Sequence, residues 1–527
     1  MPTLLQTWAL PAALLAVANI SATWYNVVSR EVPEPYLDEF FHIPQAQKYC
    51  QGDYSWDPKI TTPPGFYGIL RMLRTPTTTS FGQPRNGTLP KESSDTSDPS
   101  IFSDANTALN IALFPPLFFF SALFYTDVMS TLIVLLSYSV FLKGKAAPPS
   151  VLADFSVVIL GVLALLFRQT NIFWVAIFPA GLGVIDALKA AAPSSASLAT
   201  QSPSEVLKKS WGEGYVHDSS VEDASPQDYA LLLLSVALAA LGKPLLVLRV
   251  ALSYVVLLGL FAGFVVWNGS VVLGDKSAHT ATLHLPQMLY IWPYIAFFSA
   301  PLLLGPALKT AIALVPRQLM PTVTANSPSY TSEKLPALLI SSLFVIGAFA
   351  AVHFNTIIHP YTLADNRHYV FYVFRILRRH PVTKYLVVPV YSVCAWLAVQ
   401  ALSTASNGEQ ALEKARDTTR PTSGESHRTP CKISFIFIWL VATTLSVITA
   451  PLVEPRYFII PWIIWRLHVQ SPASLSREGQ PLNAVYDVRI GLETLWMLVI
   501  DATVTYIFIY RGFTWPGEPG KVQRFLW

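Results

Sequence analysis

Apolar runs of about 18 or more residues recur along this 527-residue chain, and each is long enough to cross the ~30 Å hydrocarbon core of a bilayer. Inside lipid every backbone N–H and C=O must find a partner within the protein, so such runs fold as an all-α, polytopic membrane helical bundle. Only 13% of the residues are charged, where a soluble domain carries about a quarter. The net charge of +4 is too small to point to nucleic acid. Cys50, Cys394 and Cys431 lie far apart and form no CxxC pair, which argues for neither a disulfide framework nor a zinc or redox motif.

The first run, 4–28, reads as a first span, although Ala16-Val17-Ala18 also offers a signal-peptide cleavage site. Further spans are expected at 106–125, 128–142, 151–167, 171–188, 246–267, 286–306, 335–354, 385–402, 432–453, 457–468 and 490–510, with an interfacial helix at 229–242. The whole of 1–527 reads as a single polytopic domain. The stretches 190–228, 317–333 and 403–430 are rich in Ser, Thr, Pro and scattered basic residues, and read as flexible cytosolic loops.

Five other connections, 32–65, 168–171, 268–287, 359–379 and 453–458, are dense in acids, histidines, arginines and aromatics. Counting crossings from residue 106 puts the last four on one face, and Asn268-Gly269-Ser270 is a glycosylation sequon that suits a lumenal one. The first run delivers 29–105 as the first lumenal loop, yet by the same count it falls on the face opposite the other four, because 65–73 is too short to span. Either a re-entrant element compensates or a second span is truncated, and poor order is expected over 71–105.

The polar blocks offer chemistry. Asp38 and Glu39 are adjacent carboxylates directly after a span. Close carboxylates raise one another's pKa, which suits one of them to accept a proton; the same pair also reads as a capping acid and a solvated neighbour. Arg168 lies between two apolar runs, where a charge is costly and functional or simply snorkels. Asp275, Lys276, His279 and His284 share one hairpin, and the histidines are five apart, which is not HExxH spacing. Asp365-Asn366-Arg367-His368 is followed by Arg375, Arg378 and Arg379. These cations can hold a lipid phosphate or anchor in headgroups, and Asp365 can pair with Arg367. Glu454-Pro455-Arg456 sits between two spans with no spacer and reads equally as a helix staple. No GxGxxG, GxxxxGK[ST] or DxD pattern is present, so a transferase here needs a donor carried by a lipid.

Together these segments resemble one family. Tyr36-Leu37-Asp38-Glu39-Phe40-Phe41-His42-Ile43-Pro44-Gln45-Ala46-Gln47, Trp56-Asp57-Pro58-Lys59-Ile60-Thr61-Thr62-Pro63-Pro64-Gly65 and Phe167-Arg168-Gln169-Thr170-Asn171 match its blocks in order. So do Gly274-Asp275-Lys276-Ser277 with His284-Leu285-Pro286-Gln287, Leu363-Ala364-Asp365-Asn366-Arg367-His368-Tyr369, Arg456-Tyr457-Phe458-Ile459 and Gln523-Arg524-Phe525-Leu526-Trp527. The family is the dolichyl-phosphate-glucose-dependent α-1,2-glucosyltransferase of the endoplasmic reticulum membrane. It adds the last glucose to the lipid-linked oligosaccharide used for protein N-glycosylation.

The resemblance implies a multi-span, GT-C-like fold with a lumenal active face. It implies a dolichyl phosphate glucose donor, a dolichyl-diphosphate-linked oligosaccharide acceptor, an inverting displacement, and no metal or other cofactor. Asp38 is then the expected base, with Glu39 as reserve base or orienter. His42, Arg168, Asp275, Lys276, His284, Asp365, Arg367, His368 and Arg456 are the expected substrate contacts. One departure stands out: in the family the Thr-Thr-Pro-Pro-Gly block leads into a full span, whereas here Phe66-Tyr67-Gly68-Ile69-Leu70 meets Arg71 and a polar tract. A related dolichyl-phosphate-sugar mannosyltransferase, a transporter with broken helices and a non-enzymatic scaffold are the alternatives.

Overall fold

The computed structural model describes residues 4–68, 100–146, 150–192, 202–276, 282–313, 338–358, 360–403, 431–450, 452–469 and 487–527. Among these, six helices are long and apolar enough to cross a membrane: Trp8–Glu31, Asp127–Lys145, Gln169–Ala190, Pro244–Asn268, Thr383–Ser403 and Val488–Tyr510. Two helix pairs reach that length only together. Ser103–Ala112 and Pro115–Ala122 meet at 54°, and Gln287–Phe298 and Ala300–Leu308 at 94°. The spans expected at 106–125 and 286–306 are thus each a bent pair. Pro115-Pro116 and Pro301 supply the cause, since proline lacks the amide that continues a helix. The span expected at 457–468 is a ten-residue helix, Ile459–His468, about 15 Å long and so half a crossing.

Aromatic packing fills the centre of the bundle. Phe114 stacks on Trp462 with centroids 3.8 Å apart, and Phe298 meets Phe114 edge-on at 5.1 Å. Buried indole N–H groups need acceptors: Trp462 donates to Ser299 Oγ at 2.9 Å and Trp439 to the Pro461 carbonyl at 2.9 Å. Lipid tails are as apolar as leucine, so helices associate here through such packing and hydrogen bonds. A buried ion pair adds to this. Arg466 Nε and Nη2 donate to the two Glu493 oxygens at 2.7 Å each, and Asn110 Nδ2 donates to Glu493 Oε2 at 2.7 Å. On the perimeter, Leu14, Leu15, Leu245 and Val266 face outward, as lipid-facing positions do.

The stretch 190–228, expected as a flexible loop, is structured from Ser202 onward. Pro203–Glu213 and Pro226–Gly242 each begin with a capping box, Ser202 with Glu205 and Ser225 with Asp228. Buried Asp218 pairs with Lys189 Nζ at 2.6 Å and accepts from Ser434 N at 3.0 Å. The loops expected at 317–333 and, past Ser403, at 403–430 lie outside the described residues. So do 69–99, where most of the expected truncated span falls. From Ser100 the chain is helical, where poor order was expected up to 105.

The polar blocks gather at one end of the bundle. Gly65 N donates to Leu166 O at 2.9 Å, Leu273 N to Thr61 O at 3.3 Å and Asp275 N to Pro58 O at 2.6 Å. The first loop thus shares an end with the other blocks, and the opposite-face outcome of the crossing count does not occur.

Candidate active site

The first helix ends at Glu31, and after a short turn the Glu39–Gln51 helix begins. Within the turn Leu37 has φ +52°, a left-handed conformation uncommon for a leucine. The turn gives two adjacent carboxylates different surroundings. Glu39 is buried; its carboxylate accepts from Tyr36 N at 2.9 Å and Phe124 N at 2.5 Å. Burial pushes the Glu39 carboxyl up, and these two hydrogen bonds offset only part of the rise. Asp38 holds the N-cap position, yet its side chain makes no capping bond. Its carboxylate is 44% exposed and accepts from Arg456 Nη1 at 3.3 Å. Of the pair, Glu39 is the structural acceptor and Asp38 the accessible acid.

Arg456 is the hub of the site. Its guanidinium donates to Glu454 Oε2 at 2.8 Å through Nη2, reaches Asp38 at 3.3 Å, and lies 3.8 Å from Asp127. It also sits over the rings of Phe120 and Tyr125, with its carbon 5.5 and 5.3 Å from their centroids. Burial works against its charge, and the Glu454, Asp38 and Asp127 carboxylates outweigh that cost and hold it well above the usual range. Arg168 joins the cluster through Asp127, at 3.1 Å. Asp127 was not among the residues expected from sequence. It is buried, and its Oδ2 has no hydrogen-bond partner among the described residues. The signal was there: an acid at the mouth of an apolar run carries the same cost that singles out Arg168.

A second cluster forms around Arg367. Its Nε donates to Asp365 Oδ1 at 2.8 Å, Nη2 to Asp365 Oδ2 at 2.7 Å and Nη1 to Gln523 Oε1 at 3.1 Å. The guanidinium carbon lies 4.7 Å from the centroid of the Trp515 ring. Burial raises the Asp365 carboxyl, but the Arg367 hydrogen bonds prevail and hold it below its ordinary value. His368 Nε2 stands 3.7 Å from Asp365. A cleft joins the clusters, with Thr362, Asp365, His368 and Phe371 on one wall and Val453, Glu454 and Pro455 on the other. Glu454 therefore belongs to both, through its Arg456 contact and through the cleft.

The remaining expected residues are placed less directly. His42 is buried on the Glu39–Gln51 helix, hydrogen-bonded to the Tyr67 hydroxyl, and burial lowers its pKa. Asp275 and Lys276 are exposed on a hairpin, where Lys276 Nζ donates to the Asn268 carbonyl. That hairpin is clamped at Gly274, whose φ is +66° and whose Cβ position would fall 2.3 Å from the Pro58 carbonyl oxygen. His284 is fully buried and packs edge-on against Tyr290 with centroids 6.1 Å apart. Its backbone N donates to Ile448 O at 2.7 Å, and Gln287 Nε2 to Ala450 O at 2.6 Å, so this block braces the chain leading to Glu454. His279 lies outside the described residues.

The arrangement can take up a proton at Asp38, stabilise negative charge beside Arg456 and Arg168, and offer hydrogen-bond acceptors along the cleft. A family model, described as the DIE2/ALG10 family, matches residues 32–467. A protein of Emericella nidulans named Dol-P-Glc:Glc(2)Man(9)GlcNAc(2)-PP-Dol alpha-1,2-glucosyltransferase is 39% identical, with 99% of this chain and 98% of its own length aligned. A Rattus norvegicus protein of the same name is 30% identical, with 98% of each chain aligned. The Homo sapiens protein of that name is 29% identical over the same shares. No solved structure matches.

Proposed function

The chain belongs to the DIE2/ALG10 family, and from that premise we propose that it catalyses the reaction for which its relatives are named. It is a glycosyltransferase: it adds glucose in α-1,2 linkage to the oligosaccharide of Glc(2)Man(9)GlcNAc(2)-PP-Dol. The donor is dolichyl phosphate glucose, and the polar end of the bundle faces the lumen of the endoplasmic reticulum.

With a β-linked donor, as the resemblance implies, an α product requires inversion and one direct displacement. The acceptor hydroxyl oxygen bonds to the anomeric carbon while the bond from that carbon to the phosphate oxygen breaks. The electron pair leaves with dolichyl phosphate, and the hydroxyl proton passes to Asp38. Arg456 and Arg168 stabilise the charge that develops on the phosphate. Asp127 Oδ2, buried with no hydrogen-bond partner among the described residues and 3.8 Å from Arg456, accepts from a sugar hydroxyl, and Asp365, His368 and Glu454 line the sugar's path. Arg367 braces that wall through Asp365, Gln523 and Trp515.

One observation carries the choice of base. Asp38 stands accessible beside Arg456, whereas Glu39 is committed to two backbone amides. The test is complementation of a strain lacking the transferase, reading oligosaccharide length on the lipid carrier. The chain is expected to restore the triglucosylated species and Asp38→Asn to leave the diglucosylated one. Restoration by Asp38→Asn overturns the base, and a chain that never extends the diglucosylated lipid overturns the activity.

A further inference from the structure

The base loop and the cleft wall meet in one short stretch near the C-terminus, 523–526. The Tyr36 hydroxyl donates to the Arg524 carbonyl at 2.7 Å and accepts from Arg524 N at 2.7 Å. The Arg524 side chain ties the ends of the first and last long helices together. Its Nη1 donates to Phe508 O at 2.9 Å and Ile509 O at 2.8 Å, and its Nη2 to Glu31 O at 3.0 Å. Two residues on, Leu526 N donates to Arg367 O at 3.0 Å, and Tyr369 N donates to Leu526 O at 3.2 Å. Gln523 accepts from Arg367. The stretch that grips Tyr36 therefore also sets the backbone on both sides of His368.

Between Tyr36 and Asp38 stands Leu37, the one non-glycine residue with positive φ among the described residues. Leucine has no polar side chain to compensate the left-handed conformation. Such a residue persists only where its surroundings over-determine it. Here Tyr36 is fixed at its hydroxyl by Arg524 and at its amide by Glu39, so the strain cannot relax backwards along the chain.

We propose that Tyr36 and the 523–526 stretch are a positioning device that holds Leu37 left-handed and thereby keeps the Asp38 carboxylate beside Arg456, in register with the His368 wall. This rests on Asp38 as the base. Releasing the clamp lets Leu37 return to an ordinary conformation and swings Asp38 out of line.

The test is steady-state glucosyl transfer by the purified full chain, with kcat and KM measured for both substrates alongside thermal unfolding. Tyr36→Phe is expected to lower kcat by about tenfold to a hundredfold with KM near wild type, alongside a lower unfolding temperature from the two lost hydrogen bonds with Arg524. Adding Leu37→Gly to Tyr36→Phe is expected to recover kcat, because glycine adopts the left-handed conformation without steric cost. Leu37→Val, with Tyr36 intact, is expected to lose kcat, because a β-branched residue tolerates positive φ worst; this arm decides the matter if Tyr36→Phe fails to fold. Wild-type kcat in Leu37→Val, or a Tyr36→Phe loss that Leu37→Gly does not relieve, overturns the proposal. Asp38→Asn is run in parallel. Activity there overturns the base assignment itself, whereas an inactive Asp38→Asn beside a normal Leu37→Val overturns the positioning alone.

Discussion

Arg456 reaches across 418 residues of sequence to donate to the Asp38 carboxylate at 3.3 Å. That contact brings the first polar loop and the connection before the Ile459–His468 helix into one site, and it gives the two adjacent acids different surroundings. Asp38→Asn keeps the geometry and removes the proton acceptor, so kcat is expected to fall by about 10²–10⁴-fold with unfolding unchanged. Glu39→Gln weakens the acceptor for Tyr36 N and Phe124 N instead. Stability is expected to drop by roughly 1–3 kcal/mol, and glucosyl transfer in the folded fraction is expected to fall less than in Asp38→Asn, because the proton acceptor stays while one of the two anchors of Tyr36 weakens. The two variants are compared by single-turnover transfer and by thermal unfolding in detergent: Asp38→Asn should lose the most activity and Glu39→Gln the most stability.

Asp127 is the carboxylate that Arg168 and Arg456 share. Removing one partner of a buried ion pair leaves uncompensated charge and costs about 3–5 kcal/mol. Asp127→Asn is accordingly expected to lower the unfolding temperature and to depress kcat, because Arg168 loses the carboxylate it pairs with and Arg456 loses one of three. Asp127→Glu retains the charge and should recover part of the stability. If Asp127→Asn unfolds at the wild-type temperature, the cluster is less tightly coupled than its distances imply.

The polytopic class was legible because an apolar run of span length has few alternatives in water. The candidate site blocks were legible from chemistry concentrated in short connections: adjacent carboxylates at Asp38 and Glu39, the acid and cations around Arg367, Glu454 with Arg456 between two spans, and Arg168 between apolar runs where charge is costly. Other features were not. The bends at Pro115 and Pro301 stayed hidden because membrane helices tolerate proline, so the residue alone does not mark a break. Asp127 escaped because an acid opening a helix also reads as a favourable helix-terminal charge. The docking of 202–228 was masked by its Ser- and Pro-rich composition, although both capping boxes stand in the sequence. The contacts of Arg367 with Gln523 and Trp515 were hidden as well, because these residues come from a segment about 150 residues later whose pairing no local pattern reveals.

His284 gives a pH signature of stability. Burial lowers its pKa from 6.5 to about 4, so the folded chain binds fewer protons there than the unfolded chain. The stabilising contribution is then fully present above about pH 6.5 and is lost progressively as pH falls towards 4. Neither ring nitrogen has a hydrogen-bond partner among the described residues, so His284→Leu removes the titration without breaking a bond. Unfolding temperature measured between pH 7.5 and 5 is expected to fall more steeply for wild type than for His284→Leu. Parallel curves would mean that the imidazole is hydrated in solution.

The Arg466–Glu493 pair lies away from the cleft and ties three helices together, with Arg466 2% and Glu493 0% exposed. Glu493→Ala strands a buried guanidinium and also takes the acceptor from Asn110, so a loss of about 3–5 kcal/mol is expected. Replacing both partners by apolar residues of similar size, Arg466→Met with Glu493→Leu, removes both charges together, and such exchanges are often neutral in buried sites. The double variant is therefore expected to unfold closer to wild type than either single variant. It should also keep its glucosyl-transfer rate, because neither residue belongs to the Asp38–Arg456 cluster. Purified single and double variants compared by thermal unfolding and by transfer rate distinguish this from the alternative in which the pair specifies the packing of the Ile459–His468 helix. In that case the double variant would be stable yet inactive, since that helix directly follows Arg456 and a shift in its packing would carry the guanidinium away from Asp38.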